Sequence, residues 1–417
     1  MKFISASTIN GTVIAPPSKS MTGRAIAAAL LSGGASVIFN PSSCDDSLAA
    51  LRVAEALGAE ATRGERDIVI KGNGTLRESM EQRALNCGES GLCMRMFAPI
   101  AALTGGEVTL TGTGSLLKRP MHMVEGITGL GALCATHNGF APITIKGPAR
   151  GGSIHVDASE SSQFLTGLLM TLPLCRERSL VTVSNLRSRP YVAMTLSLLR
   201  QYGIHITREE GFERFSIRGN QSYKACVYRV EGDWSAAAFL LVAGATAGDV
   251  KVTGLNPNSF QADKAVTEAL EMAGAEITIE KDYVSVKRNE LKAFEIDARD
   301  CPDLFPPLVA LASHCSGISV IHGAQRLRHK ESDRAHVLCS EFGRLGIAIE
   351  LSGDIMKVHG GKVTGAPVDS HNDHRIAMAC AVAALNGEGK TAIGNWECVS
   401  KSYPGFFADI ERLQENR

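Results

Sequence analysis

The sequence predicts an α/β protein of two domains, built from six repeats of a mixed sheet-and-helix unit, three in each domain. Three observations support this fold class. The chain has 417 residues, which is more than one hydrophobic core usually supports. A helix-ending phrase recurs at a nearly constant spacing, and a short alternating strand pattern occurs six times. A hydrophobic fraction of 44% against 21% charged residues is ordinary for a globular protein, so both cores can be filled.

The recurring phrase is an apolar-periodic helix that ends in Leu-Gly-Ala or a close relative and is followed by a strand pair. Its glycines are Gly58, Gly131, Gly203, Gly274 and Gly346, so the successive spacings are 73, 72, 71 and 72 residues. Each glycine stands where a helix C-cap belongs, in the left-handed conformation that other residues resist. A stacked solenoid is the alternative reading of such repeats. The long period, and sheets that need helices on one face, favour the two-domain interpretation.

A short alternating strand precedes each of these helices, at residues 35–38, 106–109, 179–182, 248–251, 317–320 and 390–393. A sixth glycine cap would fall at about position 418, so the sixth unit lacks its hairpin. The N-terminal strand pair, residues 3–7 and 11–14, has no helix before it, and we expect it to complete that unit. This predicts a lower domain of residues 1–17 and 232–417, an upper domain of residues 18–231, and an active site in the cleft between them.

Composition excludes several classes of function. Forty-three basic residues balance forty-three acidic ones, so we expect neither a nucleic-acid-binding nor a membrane-binding protein. Eleven scattered cysteines form no CxxC pair and no zinc-ligand spacing, which favours a reducing cytoplasm. The first residues lack a secretory signal, and no apolar run is long enough to span a membrane. We therefore predict a cytoplasmic protein, and a monomer, because no segment marks an interface.

Cations and small hydroxyl residues recur ahead of apolar helices. Lys19, Ser20 and Arg24 stand at one helix start, where backbone amides and the helix dipole suit a phosphate or carboxylate. Gly91 opens another helix and would let a ligand approach the backbone closely. Comparable segments cover residues 117–120, 159–164, 187–191, 300–303, 329–334, 371–375 and 400–404. Each alone reads as a plain cap or solvated turn, but together they predict helix N-termini that converge on one cleft.

A metal site is a weaker interpretation of one of these segments. His371 and His374 flank Asp373, but three such residues in one turn seldom face one point, and the sequence offers no obvious fourth ligand. We expect neither a metal nor an organic cofactor.

Four motifs resemble the signatures of the EPSP synthase (3-phosphoshikimate 1-carboxyvinyltransferase) family, in the family's order and across nearly the whole chain. They are Pro-Ser-Lys-Ser at 17–20 with Arg24, Ser-Ser-Gln-Phe-Leu-Thr at 161–166, Lys-Glu-Ser-Asp-Arg at 330–334 and Asn-Asp-His-Arg-Ile-Ala-Met at 372–378. The resemblance implies a two-domain inside-out α/β barrel, in agreement with the six repeats. It implies transfer of the enolpyruvyl group of phosphoenolpyruvate to the 5-hydroxyl of shikimate 3-phosphate, in the shikimate pathway to chorismate and aromatic amino acids.

The resemblance also implies roles for individual residues. Shikimate 3-phosphate would contact Lys19, Ser20, Arg24, Ser161, Ser162, Gln163, Ser188, Asp303 and Lys330. Phosphoenolpyruvate would contact Lys19, Gly91, Arg119, Gln163, Arg334, Arg375 and Lys401. The two substrates together bring two phosphates and two carboxylates, so several cations are needed to offset their repulsion. We expect Asp303 to act as the base on the hydroxyl, Glu331 as the acid at C3, and Lys19 to stabilise developing charge and share in proton transfer.

The chain departs from the family pattern at four positions. Glu89 stands where the family usually has asparagine, Leu92 where it has threonine, and Met96 where many members have proline. These three positions bear on glyphosate sensitivity. Arg326 stands where some members direct an asparagine toward the shikimate phosphate.

Two rival functions differ in recognisable features. The sister enzyme that transfers enolpyruvate to UDP-N-acetylglucosamine reads Lys-Asn where this chain has Lys19 and Ser20, and it usually carries a reactive cysteine in the loop that here spans 112–118. This loop contains no cysteine, which favours the first assignment. A non-catalytic repeat scaffold would not need cations concentrated at helix starts.

Overall fold

The computed structural model describes residues 1–74, 76 and 83–415. The chain divides into two compact units. Unit 1 comprises Met1–Pro16 and Glu231–Arg417, and unit 2 comprises Pro17–Val230. Within the described residues, no helix is both long and apolar enough to cross a membrane.

The strands and helices follow in chain order. The strands are β1 (Lys2–Ser5), β2 (Ile9–Ile14), β3 (Ser32–Phe39), β4 (Glu60–Arg63), β5 (Asp67–Asn73), β6 (Arg83–Asn86), β7 (Glu107–Thr111), β8 (Leu133–His137), β9 (Phe140–Lys146), β10 (Ser153–Asp157), β11 (Ser179–Ser184), β12 (Ile206–Arg208), β13 (Arg214–Ile217), β14 (Tyr223–Lys224), β15 (Val227–Arg229), β16 (Gly248–Thr253), β17 (Glu276–Ile279), β18 (Tyr283–Lys287), β19 (Glu295–Asp297), β20 (Ile318–His322), β21 (Ile349–Ser352), β22 (Ile355–His359), β23 (Pro367–Asp369) and β24 (Lys390–Gly394). The α-helices are α1 (Lys19–Leu30), α2 (Asp45–Ala56), α3 (Gly91–Ala101), α4 (Gln163–Thr171), α5 (Arg189–Gln201), α6 (Trp234–Ala247), α7 (Val266–Ala273), α8 (Phe305–Ala312), α9 (Arg334–Arg344), α10 (His374–Leu385) and α11 (Phe406–Glu415). Short 3-10 helices lie at Gly114–Lys118, His122–Leu130, Leu172–Leu174, Ala262–Ala265, Pro302–Leu304, Ala324–Leu327 and Trp396–Lys401.

Three helices form the centre of each unit, and we call them its core helices. In unit 2 they are α1, α3 and α4, and in unit 1 they are α6, α8 and α10. Every residue of α8 and α10 is buried, as are residues 21–30 of α1 and 236–247 of α6. A helix that is apolar on all faces must be surrounded by protein, and alanine-rich stretches such as residues 25–29 let neighbouring helices approach closely.

Sheets pack on the core helices, and they share one strand order. In five of the sheets a parallel outer strand pairs with a central strand, which pairs in turn with the second strand of a hairpin, and in the sixth sheet the N-terminal strand β1 takes the place of the hairpin strand. The sheets are β14/β15-β3-β5-β4, β6-β7-β9-β8 and β10-β11-β13-β12 in unit 2, and β2-β16-β18-β17, β19-β20-β22-β21 and β23-β24-β1 in unit 1. Their strands alternate buried and exposed residues, so one face of each sheet meets the core. The six predicted short strands are therefore confirmed as the central strands β3, β7, β11, β16, β20 and β24.

The prediction that the N-terminal strand pair completes the sixth unit is correct for one of the two strands. Strand β1 pairs antiparallel with β24 and completes the sixth sheet, as expected. The expectation was wrong for β2, which pairs parallel with β16 in another sheet. The strands that directly precede α6, β14 and β15, belong to unit 2 and pair with β3. The N-terminal strand β2 is thus the parallel strand beside β16. This follows because the chain passes from unit 1 to unit 2 after β2 and returns to unit 1 after β15.

The five predicted cap glycines all have positive φ, between 79° at Gly203 and 103° at Gly58. Four of them follow α-helices, whereas Gly131 ends the 3-10 helix His122–Leu130. That segment contains Gly126 and Gly129, whose low helix propensity disfavours a regular α-helix there.

Candidate active site

Many of the predicted site residues lie at the N-termini of the core helices, and each unit caps these helices differently. In unit 2 the N-cap residues are Ser18, Ser90 and Ser162, spaced 72 residues apart. In unit 1 Asp233 and Asp373 are N-caps whose carboxylates accept backbone N–H groups, and Asp303 precedes α8. Neutral serine caps leave the positive helix ends of unit 2 uncompensated, which suits anionic ligands.

Lys19 is the first residue of α1, and its ammonium group pairs with Asp46. Lys19 Nζ lies 2.9 Å from Asp46 Oδ2, and both side chains are largely buried. Asp46 lies in the first turn of α2, so its charge also favours that helix start. The sequence analysis did not identify Asp46, and its position in the first turn of α2 was the available signal. An anionic ligand at Lys19 would compete with this carboxylate.

Arg24 is buried inside unit 2 among neutral groups. Its Nε donates to Thr195 Oγ1 at 2.9 Å, its Nη1 to the Ser20 carbonyl at 2.9 Å and its Nη2 to Thr166 Oγ1 at 3.4 Å. Burial lowers the pKa of Arg24 to about 10, so the guanidinium remains charged at neutral pH. A buried cation with only neutral partners is energetically unfavourable, so this helix start favours the binding of an anion. Sequence reasoning missed Thr195, and it quoted Thr166 in a motif without assigning it a contact.

Two guanidinium groups and an amide gather at Gly91. A Cβ added to Gly91 would lie 2.9 Å from Arg119 Nη1, 3.4 Å from Arg95 Nη1 and 3.7 Å from Gln163 Oε1. Arg95 Nη1 also donates to Gln163 Oε1 at 3.0 Å. The glycine makes room for two buried cations beside the N-terminus of α3. Of these residues, Arg95 was not assigned from the sequence, although it lies four residues after Gly91 in the same helix.

Glu89 supports Arg119 through Ser115. Glu89 Oε2 accepts the Ser115 backbone N–H at 3.0 Å and the Ser115 hydroxyl at 2.9 Å. Ser115 Oγ in turn accepts Arg119 Nη2 at 3.1 Å. The acidic residue that replaces the family's asparagine therefore holds the 3-10 turn that leads to Arg119.

The predicted serines at two other helix starts are also placed in unit 2. Ser161 Oγ accepts the backbone N–H of Gln163 at 3.1 Å at the start of α4. Ser188 is the N-cap of α5 and has φ 58° and ψ 41°, a left-handed conformation that is uncommon for a non-glycine residue. Such strain persists only where the surroundings impose it, and it is frequent at functional sites.

In unit 1, the Asp303 carboxylate gathers three predicted cations. Arg334 Nη1 lies 3.0 Å and Lys330 Nζ 3.4 Å from Asp303 Oδ1, and Arg375 Nη2 lies 3.1 Å from Oδ2. Burial raises the pKa of Asp303, but the charges of Arg375, Lys330 and Arg334 outweigh it and hold this pKa well below its usual range. Burial lowers the pKa of Lys330 to about 8, in spite of the opposing charge of Asp303.

Arg334 is fully buried and touches three carboxylates. Besides Asp303 it pairs with Glu331, and its Nε lies 2.9 Å from Asp373 Oδ2. Burial lowers the pKa of Arg334, but the charges of Asp373, Glu331 and Asp303 raise it by a larger amount, so the net shift is upward. Arg334 is therefore permanently charged. Asp373, which was only part of a motif in the sequence, emerges as a main partner of this arginine.

The last predicted cations lie at the start of α10 and at the end of the final 3-10 helix. Burial lowers the pKa of Arg375, but the charge of Asp303 raises it and the net shift is upward. Lys401 is buried, and its Nζ donates to the Asn372 carbonyl at 2.8 Å. Arg326, the departure from the family pattern that lies in unit 1, donates to the Arg299 carbonyl.

The alternative metal interpretation gains no geometric support. The His371 ring bonds to Glu341, and His374 is buried at the start of α10. In the part of the chain that the structure describes, no three His, Cys, Asp or Glu side chains form a group that could hold a metal ion.

Comparisons with known proteins agree with this arrangement. A sequence model of EPSP synthase (3-phosphoshikimate 1-carboxyvinyltransferase) matches residues 5–410. The chain is 39% identical to the 3-phosphoshikimate 1-carboxyvinyltransferase of Methanocorpusculum labreanum, over 99% of this chain and 98% of the relative. It is 40% identical to the protein of the same name from Thermococcus kodakarensis, over 98% of each chain. A solved EPSP synthase structure from Acinetobacter baumannii has a TM-score of 0.82 at 27% identity, covering 99% of this chain and 98% of that one.

These likenesses, on top of a site rich in anion-binding groups, define an enolpyruvyl-transferase class of fold. The chain belongs to the EPSP synthase (3-phosphoshikimate 1-carboxyvinyltransferase) family. The predicted fold class and family are thereby confirmed.

Proposed function

We propose that this protein transfers the enolpyruvyl group of phosphoenolpyruvate to the 5-hydroxyl of shikimate 3-phosphate and releases phosphate. Family membership supports the reaction. The observation that carries the site is the cluster of Lys330, Arg334 and Arg375 on one carboxylate, Asp303. Each of these cations is paired with protein acids, and substrates that carry phosphates and carboxylates can replace those acids as partners, so that the cations stay paired.

The reaction needs one base and one acid. The base removes the 5-hydroxyl proton while the oxygen bonds to C2 of phosphoenolpyruvate, and the acid supplies a proton to C3. Phosphate then leaves C2 with its bonding electrons, and the new methyl group loses a proton, which restores the double bond. The products are the enolpyruvyl ether and phosphate. Neither step requires a change of oxidation state.

We assign the base to Asp303. Its low pKa keeps it ionised at neutral pH, so it can accept a proton, but the three cations also make it a weak base. Phosphates and carboxylates of the substrates would compete for Arg375 and Lys330. As those cations turn to the substrates, the pKa of Asp303 would rise and its basicity with it.

We assign the acid to Glu331 and charge stabilisation to Lys19. Glu331 pairs with Arg334, so a phosphate that engages this guanidinium would release the carboxyl group to take up a proton. Lys19 would exchange Asp46 for substrate in the same way. The residues of both units would act on one pair of substrates, and the location of the active site between the units stays a prediction.

The first test measures phosphate release from phosphoenolpyruvate by the purified protein. Release with shikimate 3-phosphate is expected, and none with UDP-N-acetylglucosamine. Release with the nucleotide sugar alone would overturn the assignment to shikimate 3-phosphate, and release with neither would favour a non-catalytic scaffold.

The second test separates binding from chemistry. We expect Asp303→Asn and Glu331→Gln to bind shikimate 3-phosphate but to lose turnover by about 10² or more. Isothermal titration and steady-state kinetics measure the two effects. Full activity in either variant would remove that residue from the mechanism.

A further inference from the structure

A buried carboxylate outside the proposed contact residues holds the segment that supports three of them. Glu341 lies in the third turn of α9, and only 1% of its side chain is exposed. Its Oε2 accepts the backbone N–H of Asp369 at 2.9 Å, and its Oε1 lies 3.1 Å from His371 Nε2. The Ser340 hydroxyl donates to Oε1 at 3.0 Å, and Arg344 Nε lies 3.6 Å from Oε2.

The segment that Glu341 holds is strained. Residues 369–373 lead from β23 into α10, and within them His371 and Asn372 have φ values of 51° and 57°. Two adjacent non-glycine residues in the left-handed region are uncommon, because that region crowds the Cβ atom against the following carbonyl oxygen. Such a turn keeps its shape only if its surroundings determine it.

Three proposed phosphoenolpyruvate contacts depend on this turn. The Asn372 carbonyl accepts Lys401 Nζ at 2.8 Å. Asp373 Oδ2 lies 2.9 Å from Arg334 Nε, and Asp373 Oδ1 accepts the Arg375 backbone N–H at 3.0 Å. A shift of the turn would therefore move the partners of all three cations together.

Helix α9 contacts the turn at both of its ends. Arg334 is its first residue and binds Asp373, whereas Glu341 stands seven residues later, on the same face of the helix, and binds Asp369 and His371.

We propose that Glu341, together with His371, is a positioning residue for phosphoenolpyruvate binding, which fixes the turn at residues 369–373 and thereby sets Arg334, Arg375 and Lys401. This inference rests on the proposed function for its kinetic consequence. Its structural part, the holding of the turn by Glu341, is independent of which substrate binds.

The kinetic test compares Glu341→Ala with Glu341→Gln, because glutamine can still accept the Asp369 N–H. We expect Glu341→Ala to raise the KM for phosphoenolpyruvate about tenfold, with the KM for shikimate 3-phosphate changed less than about twofold. Glu341→Gln should stay within about threefold of the wild-type KM for phosphoenolpyruvate. The matched control is Glu350→Ala, which breaks another Glu–His pair of unit 1, Glu350 with His359, on the β21–β22 hairpin.

The KM for phosphoenolpyruvate in the Glu341 and His371 variants decides whether the proposal holds. An unchanged KM for phosphoenolpyruvate in folded Glu341→Ala would overturn the proposal, as would a loss of kcat in proportion to unfolded protein with both KM values unchanged. Equal damage by Gln and Ala would overturn the hydrogen-bond account. If Glu341→Ala does not fold, His371→Asn takes its place, since asparagine tolerates the left-handed conformation but cannot reach Glu341. We expect His371→Asn to raise the KM for phosphoenolpyruvate about threefold, and no change would count against the proposal.

Hydrogen exchange of the segment 366–376 keeps the proposal testable apart from activity. We expect the Asp369 amide to exchange at least about tenfold faster in Glu341→Ala than in the wild type or in Glu350→Ala. If the wild-type protein shows no activity with phosphoenolpyruvate and shikimate 3-phosphate together, the proposed function fails. The exchange rates still decide whether Glu341 fixes the turn. Equal exchange in all three proteins would overturn that claim.

Discussion

At the scale of single residues, Glu89 shows how one substitution can be accommodated beside an anion-binding cation. A carboxylate at this helix start would repel phosphoenolpyruvate if it faced the ligand. Here Glu89 Oε2 instead accepts the Ser115 amide and hydroxyl, and Ser115 supports Arg119. The negative charge is thus engaged in holding the turn before the arginine.

The expected behaviour of Glu89 variants separates its hydrogen bonds from its charge. Glu89→Gln keeps an acceptor for Ser115 and removes the charge, so the KM for phosphoenolpyruvate should stay the same or fall. Glu89→Ala removes the support of Arg119, so this KM should rise about tenfold. Steady-state kinetics with shikimate 3-phosphate saturating measures both. A Glu89→Ala variant that binds phosphoenolpyruvate as well as Glu89→Gln would show that Ser115 does not need Glu89.

Lys330 should introduce a pH dependence. Its pKa is lowered by burial to about 8, so in the free enzyme its positive charge is present below pH 8 and is lost as the pH rises through that value. Because this charge is proposed to bind the phosphate of shikimate 3-phosphate, kcat/KM for that substrate should fall above about pH 8. Lys330→Arg, which stays charged, should lack this limb of the profile. A wild-type profile that is flat to pH 9.5 would contradict the assignment.

The sequence identified the proposed ligand contacts better than their internal partners. Lys19 and Arg334 belong to motifs with a known order, so a resemblance could find them. Their pairing with the acids Asp46 and Asp373 joins residues 27 and 39 positions apart, and no local pattern shows it. The pairing of these cations with carboxylates of the protein was therefore not predictable from residue spacing alone.

At the scale of elements, the difference between serine and aspartate caps gives a direct electrostatic test. Ser90 caps α3 by accepting the Cys93 N–H at 3.3 Å, next to Gly91. Asparagine and aspartate are comparable N-cap residues, so Ser90→Asn and Ser90→Asp should preserve the helix start equally. Only aspartate adds a charge, so it alone should raise the KM for phosphoenolpyruvate, by about tenfold or more. Equal KM values in the two variants, with equal melting temperatures, would show that the neutral cap has no electrostatic role.

The repeat pattern predicted elements well where a local rule controls them. A glycine with positive φ follows α2, the 3-10 helix His122–Leu130, α5, α7 and α9, because only glycine adopts that conformation without a steric penalty. Further repeated signals were missed: Asn40, Asn185 and Asn395 also have positive φ directly after central strands. The pairing of β2 with β16 could not be predicted locally, because it joins residues 239 positions apart and follows from the path of the chain between units.

At the scale of the whole molecule, the two units differ in how the chain builds them. Unit 2 is one continuous segment, and its β3 sheet is completed by β14 and β15 at the end of that segment. Unit 1 needs both chain ends, since β1 and β2 each fill a place in its sheets. The glycine spacing revealed six repeats, but which strand fills which sheet depends on where the chain crosses.

This asymmetry predicts that unit 2 folds alone. A fragment of residues 17–230 contains its three core helices and all strands of its three sheets, so it should unfold cooperatively in urea, as followed by circular dichroism. Residues 1–16 belong to unit 1, so a fragment of residues 1–230 should be no more stable than 17–230. Shortening the fragment to 17–220 removes β14 and β15, exposes the edge of β3 and should lower the urea midpoint. Both tryptophans, Trp234 and Trp396, lie outside the fragment, so tryptophan fluorescence of the full chain gives a separate readout of unit 1. A fragment 17–230 that stays unfolded while 1–230 folds would show that the N-terminal strands serve unit 2 as well.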